Sequence, residues 1–297
     1  MKRIRIGLSA LALGGVFALA SCGGLDDKDK IVDLTINTYV TKYLIDDIKD
    51  DTVEEINGEY SNFTNFWTYL VVTELKQNKY DINIKDQNTA LYNYIKDYDV
   101  STLSGVDFGK YYYYAKAFDI DLNGAYKTKY LEFVEKNLES EYSEYSEYSI
   151  PFEIAPAKNY NAQSDKLTAL INTKYKASTD FGYDAANWMY IVNTLNGKAI
   201  DNDYLNTLAK AEYDNPTSIA LSIAAFSASN VNVRDAKYRV ENKTLIDKLL
   251  ESYDASIGLI KYQSTDTGIN YSTNQIYASL IAYKYQRDNK KAVNIFR

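Results

Sequence analysis

The stretch TSIALSIAAFSA, residues 217–228, offers water almost no polar face. Wound into a helix, its Ile219, Ile223 and Phe226 share one face and Leu221 lies on the opposite one, with only serine and alanine between them. A helix that is apolar all round has to be covered on all sides. Four further segments share the property: NFWTYLVVTEL (65–75), FGKYYYYAKAF (108–118), YDAANWMYIVNTL (183–195) and STNQIYASLIAYKY (272–285). None reaches the roughly 20 apolar residues that span a bilayer, so their cover must be protein.

A second kind of segment supplies that cover. In KTLIDKLLESY (243–253), Leu245, Ile246, Leu249, Leu250 and Tyr253 form one stripe; in TKYLEFVEKNL (128–138), Leu131, Val134 and Leu138 do the same. TALYNYIKDY (89–98), DYLNTLAKAEY (203–213) and IVDLTINTYVTKYLIDDIKDD (31–51) follow suit. Such stripes belong to helices with one wet side. Strand-like alternation is scarce, and none of Pro151, Pro156 and Pro216 interrupts a helical segment. Asn215-Pro216 reads instead as an N-cap followed by proline at the first helical position.

The two kinds of segment alternate at roughly 35 to 50 residues per pair, a repeat period. An all-α solid of two concentric layers satisfies them: apolar inner helices, each antiparallel to an amphipathic outer one. SEYSEYSEYSIPFEIAPAKNY (140–160) breaks the pattern with a tripeptide repeat and two prolines. It reads as a loop or insertion, or as a boundary between two half-rings.

The amino terminus follows a different logic. MKRIRIGLSALALGGVFALASCGG has a basic start (Lys2, Arg3, Arg5), a short apolar run and small residues, the layout of a signal peptide. Leu19-Ala20-Ser21-Cys22 resembles the lipobox of bacterial lipoproteins. That resemblance implies cleavage after residue 21, diacylglycerol on Cys22, and a chain held on the extracytoplasmic face of a membrane. Two acyl chains hold stably where one holds marginally. The following GGLDDKDK has little to pack, so residues 22–33 are expected to be a flexible tether and 34–297 the helical domain.

SGVDFGKYYYYAKAFDIDLNG, NPTSIALSIAAFSASNVNVRD and NYSTNQIYASLIAYKYQRDNKKAVNIF resemble repeats of the terpenoid cyclase/protein prenyltransferase-like α/α toroid, as found on bacterial surface proteins. The resemblance covers much of 60–297. It implies alternating inner and outer helices around a hollow, in a closed or open ring, with function at the mouth where the inner helices begin. It does not carry the family's best-known chemistry. Zinc prenyltransferases need Asp, Cys and His, class II cyclases a D-x-D-D acid, and thioester toroids a Cys–Gln pair. Here Asp119-Ile120-Asp121 is followed by Leu122, and Cys22 is the only cysteine.

The chain has no histidine. That excludes Ser-His-Asp and Cys-His catalysis and His/Cys zinc sites, whatever the fold. Residues 1–21 hold three basic and no acidic side chains, so the remainder carries −10 against −7 for the whole chain. Nucleic acid, bound largely by neutralising phosphates, is disfavoured as a partner. Anionic headgroups should be repelled too, leaving attachment to the lipid.

Three constellations could carry chemistry. Asp46 to Asp50 (DDIKD) matches a magnesium-diphosphate pattern but reads more plainly as a solvated acidic face. Asp119, Asp121, Asn123 and Gly124 match the start of a calcium loop, yet Tyr130 stands where the bidentate glutamate belongs, which leaves a weak calcium candidate or a simple helix-ending turn. The inner-helix starts hold Asn62, Thr64 and Asn65; Asp107 and Lys110; Asp184 and Asn187; Thr217 and Ser218; Thr273 and Asn274; with Tyr111, Tyr183, Trp188 and Tyr271 close by. Flat aromatic faces with polar tips suit sugars, peptides or lipids, although helix capping alone accounts for many of the polar residues.

The expectation is a non-enzymatic surface lipoprotein that binds a glycan, peptide or partner protein at that mouth. A glycosidase with Asp107 and Asp184 as its paired carboxylates is the alternative, and a structural envelope protein is the third.

Overall fold

The computed structural model describes residues 26–56, 63–137, 156–160, 182–195, 200–266 and 268–297. The signal segment, Cys22 and most of the 140–160 insertion lie outside these residues; of the insertion, Ala157–Tyr160 forms a short helix.

The fold is mostly helical. Asp26 opens it, accepting from the backbone N–H groups of Lys28 and Asp29 and so capping α1 (Asp27–Thr38). Residues 27–33 therefore belong to a helix rather than to the expected tether, because a capped first turn buries Asp29 and Val32. A π-helical turn (Tyr39–Leu44) carries α1 into α2 (Ile45–Asp50). Then follow α3 (Val53–Ile56), α4 (Phe66–Gln77), α5 (Thr89–Lys96), α6 (Asp107–Ala117), α7 (Ala125–Asn137) and α8 (Ala157–Tyr160). The remainder comprises α9 (Gly182–Leu195), α10 (Asn202–Lys210), α11 (Pro216–Ala228), α12 (Leu245–Leu250), the hairpin β1 (Tyr253–Asp254) and β2 (Leu259–Ile260), and α13 (Tyr271–Asn289).

Caps set several of these starts. Asn215 accepts from the Ser218 N–H with Pro216 at the first position, Asn270 accepts from Thr273, and Thr244 and Asp247 cap each other's backbone. α12 is shorter than its stripe: Lys243 pairs with Val240 in an isolated bridge, and Tyr253 enters the hairpin. Gly258, at φ +77°, turns that hairpin, and its carbonyl accepts from the Thr35 hydroxyl at 2.9 Å.

The five segments apolar on all sides are α4, α6, α9, α11 and α13. They pack side by side in the order α6–α4–α13–α11–α9. Their side-chain pairs show that all five run the same way. Thr68 meets Asn274 and Tyr80 meets Tyr285 across α4 and α13. Tyr69 stacks on Tyr114, and Lys76 bonds the Ala117 carbonyl, across α4 and α6. Asn187 bonds Ser222 and Tyr190 bonds Ser229 across α9 and α11. α1 runs opposite to α13: Asp29 accepts from Tyr283, while Tyr39 donates to Asn274.

Residues 293–297 fill the space beside this row. The Val293 N–H donates to the Ser227 carbonyl of α11. The Asn294 amide donates to the Ile191 carbonyl of α9. Tyr113 of α6 donates to the Phe296 carbonyl, and Arg297 reaches Glu74 and Asn78 at the end of α4. Phe296 is fully buried, its ring 6.2 Å from that of Trp67. Where a hollow was expected, the described residues are packed at this level.

Candidate functional site

Because the inner helices run in parallel, their starts share one end of the molecule. Tyr271, first residue of α13, is the most exposed aromatic there among the described residues, at 46 %. Its ring packs edge-on against Phe66 at 5.9 Å and Trp67 at 6.3 Å. Trp67 in turn lies 5.9 Å from Trp188 of α9. The Lys110 ammonium sits 5.6 Å over the Phe66 ring. Surrounding protein pushes the Tyr271 phenol up to about 12, with Trp67 and Gln275 as its polar neighbours. The ring is thus packed on one side against Phe66 and Trp67 and open on the other.

Charged groups flank this aromatic set. Burial pulls the Lys110 ammonium down, opposed by Asp107 one turn before it. Burial pushes the Asp184 carboxyl up, with Ser218 opposing and Asp214 adding to the shift. Asp107, on α6, and Asp184, on α9, thus have different charged and polar neighbours.

Beneath the aromatics lies a polar seam that sequence reading missed. Asp51 is buried and accepts from the Tyr69 hydroxyl at 2.8 Å and the Asn65 amide at 2.7 Å. Asp47 accepts from Thr68 at 3.0 Å. Asn274 donates to Thr68 at 2.8 Å and accepts from Tyr39 at 2.7 Å. Tyr39 stacks on Tyr277, which exchanges a 2.6 Å hydrogen bond with Thr35. Burial raises the Asp51 carboxyl to about 6, with Asp47 and Glu55 adding to the rise and Tyr69 and Asn65 opposing it. Burial raises Asp47 as well. The DDIKD stretch is therefore split: Asp46, Lys49 and Asp50 face water, while Asp47 turns inward towards Asp51. Its i, i+4 relation to Asp51 was the available signal.

The anticipated mouth residues separate accordingly. Asn65 is exposed, and Asp107, Lys110 and Asp184 are partly exposed, as is Thr64, which donates to the Glu55 carbonyl. Tyr111 is a correction: it is 3 % exposed and donates to the Ile95 carbonyl, so α5 covers it. Asn187 is fully buried between Ser222 and Tyr204. Thr217, Thr273, Asn274 and Trp188 are buried, and Ser218 largely so. Asn62 and the side chain of Tyr183 lie outside the described residues. Phe66 and Trp67 were within a recognised inner segment, but nothing local marked them as the partners of Tyr271.

The calcium candidate is an ordinary loop. Asp119, in the left-handed region at φ +56°, pairs with Lys76 at 2.6 Å. Asp121 accepts from the backbone and side chain of Asn123. Among the described residues no group of three or more acidic or cysteine side chains is arranged to hold a metal ion.

An open cleft of about 590 Å³ flanks the α11 start, lined by Lys210, Tyr213, Asp214, Ile219, Lys243 and Glu251 among others. A second, of about 430 Å³, shares Glu251 and Ser252 with it. The Lys243–Glu251 pair lies along the first and the Lys261–Asp254 pair along the second. No protein-family model matches the chain, and no curated protein or solved structure is significantly similar to it.

Proposed function

We propose that this chain is a lipid-anchored extracytoplasmic binding module. Its inner helices form an α/α toroid, and it takes a glycan or peptide at the end where they start. The observation that carries the reading is the aromatic face at Tyr271: a half-exposed ring packed on Phe66 and Trp67, with the Lys110 ammonium over Phe66. Aromatic faces supply apolar contact area at little entropic cost, and the neighbouring amide, ammonium and carboxylates supply orientation. Five parallel helices, with a terminal segment bonded to four of them, support the toroid.

Binding is favoured over glycoside hydrolysis. A glycosidase needs two carboxylates about 5–9.5 Å apart acting on one bond, whereas the exposed aromatic face needs no such pair. Of the carboxylates that burial raises, Asp51 is held by Tyr69 and Asn65, Asp47 by Thr68 and Glu74 by Asn78.

The test is retention on immobilised envelope polysaccharides and on a peptide library, wild type against Tyr271→Ala. Tyr271 is exposed, so the substitution leaves the fold intact while removing the accessible ring of the aromatic face. Loss of retention with unchanged thermal melting supports the proposal. Equal retention by the variant, or none by the wild type, refutes it.

A further inference from the structure

Residues 293–297 read Val-Asn-Ile-Phe-Arg. Their partners sit on four separate helices, and each bond is of a kind that a free peptide makes. The Val293 N–H donates to the Ser227 carbonyl of α11 at 3.0 Å. The Phe296 carbonyl accepts from Tyr113 of α6 at 3.2 Å, and the Arg297 carbonyl from the Gln77 amide of α4 at 2.9 Å. These three contacts use the main chain and read no side chain. Selectivity comes from three others. The Asn294 amide donates to the Ile191 carbonyl at 2.6 Å and the Thr194 hydroxyl at 2.9 Å, both on α9. Phe296 is fully buried against Trp67. Arg297 donates to Asn78 at 2.7 Å and pairs at 3.4 Å with Glu74, which is 1 % exposed.

The walls around this segment are joined without it. Tyr69 stacks on Tyr114 between α4 and α6, and Asn274 bonds Thr68 between α13 and α4. Asn187 with Ser222 and Tyr190 with Ser229 join α9 to α11, which packs on α13. The approach is loose by comparison. Asp288 to Ala292 are exposed, and Lys290 sits in the left-handed region at φ +52°. Among the described residues neither Lys291 nor Ala292 makes a backbone hydrogen bond. Three buried apolar side chains, Val293, Ile295 and Phe296, thus hang on an exposed tether. Were they to leave, Glu74 would lose Arg297 and stay buried, so the emptied site calls for another basic group.

We infer that the space bounded by α4, α6, α9 and α11 is a peptide-binding site, filled by this chain's own residues 293–297 and taking another peptide of the same chemistry once they leave. That chemistry is an apolar–Asn–apolar–aromatic–basic run. The site is distinct from the Tyr271 face and does not rest on the proposed function. Trp67 is the wall the two share, its ring 6.2 Å from Phe296 and 6.3 Å from Tyr271. An occupant tethered by so short a stretch acts at about millimolar effective concentration, which excludes a free peptide of about 10 μM affinity by about 100-fold.

A recognition sequence for a site-specific protease is inserted between Lys290 and Lys291 of the full chain, so that the segment is cut free after folding. The probe is a fluorescent peptide of residues 291–297, Lys-Ala-Val-Asn-Ile-Phe-Arg, followed by anisotropy. The cut protein should keep its helical circular dichroism and exchange its segment for the probe. Its tryptophan emission should shift when the segment is diluted out and Phe296 leaves Trp67. The uncut protein should bind the probe about 100-fold more weakly. Phe296→Ala and Arg297→Glu versions of the probe should each bind the cut protein about tenfold more weakly or worse. Loss of helical structure on cutting, or a cut segment that the probe never replaces, makes residues 293–297 ordinary core and overturns the inference. Equal binding of the three probes overturns it too. Tyr271→Ala should leave the exchange unchanged, so this inference and the proposed function fail separately.

Discussion

Replacing Asp51 with asparagine should change how stability depends on pH. In the folded protein the carboxyl holds its proton up to about pH 6, against an ordinary value of 3.8. The folded state therefore binds a proton more tightly than the unfolded chain. The contribution of this site is full below pH 3.8 and is lost as pH rises through 6. About two units of difference, at 1.36 kcal/mol each, amount to about 3 kcal/mol disfavouring the wild type above pH 6. The Asp51→Asn substitution removes the titration and keeps the shape. The amide oxygen it introduces still accepts from Tyr69, and the exposed Asn65 amide can turn to present its own oxygen. Urea unfolding of both proteins from pH 4 to pH 7.5 gives the difference in stability at each pH. That difference should shift towards the variant by about 3 kcal/mol across the window. A difference that stays constant with pH would mean that Asp51 is not desolvated in the folded state, and the reasoning fails.

Asn274→Ala removes one acceptor and one donor at once, leaving the fully buried Tyr39 hydroxyl without its partner; a loss of about 2–4 kcal/mol in urea unfolding is expected. Phe296→Ala deletes a fully buried ring that packs on Trp67, so about 3–5 kcal/mol should be lost and tryptophan emission should shift. Gly258→Ala places a Cβ 3.0 Å from Thr38 Cγ2 at φ +77°, which should cost about 1–3 kcal/mol and lower the melting temperature. Glu74, raised by burial to about 7 despite Arg297, should make wild-type stability fall further between pH 4.5 and 7. Glu74→Gln should flatten that fall in the same titration.

Much of the helix list was legible because its causes are local. The all-round apolar segments at 65–75, 108–118, 183–195, 217–228 and 272–285 became α4, α6, α9, α11 and α13 within a few residues. Asn215-Pro216 started a helix where such a pair should. The stripe at 243–253 was longer than α12 because periodicity carries no information about a bridge at Lys243 or a hairpin at Tyr253. At the candidate site, helix starts were readable, but which side chains stayed wet was not. Tyr111 and Tyr271 are equally tyrosines near a helix start, and α5 covers only the first.

By itself the sequence determined which segments must be hidden and which can face water, because side-chain polarity and the 3.6-residue turn act within a few residues. It also determined which reactions are impossible, since a missing histidine cannot be replaced by folding. Only the tertiary structure decided the order α6–α4–α13–α11–α9, the inward turn of Asp47 and Asp51, and the burial of residues 293–297. Those outcomes depend on contacts such as Asn274 with Thr68, separated by 206 residues. An apolar face requires a neighbour, but any of several faces would satisfy it; only packing all of them together selects one.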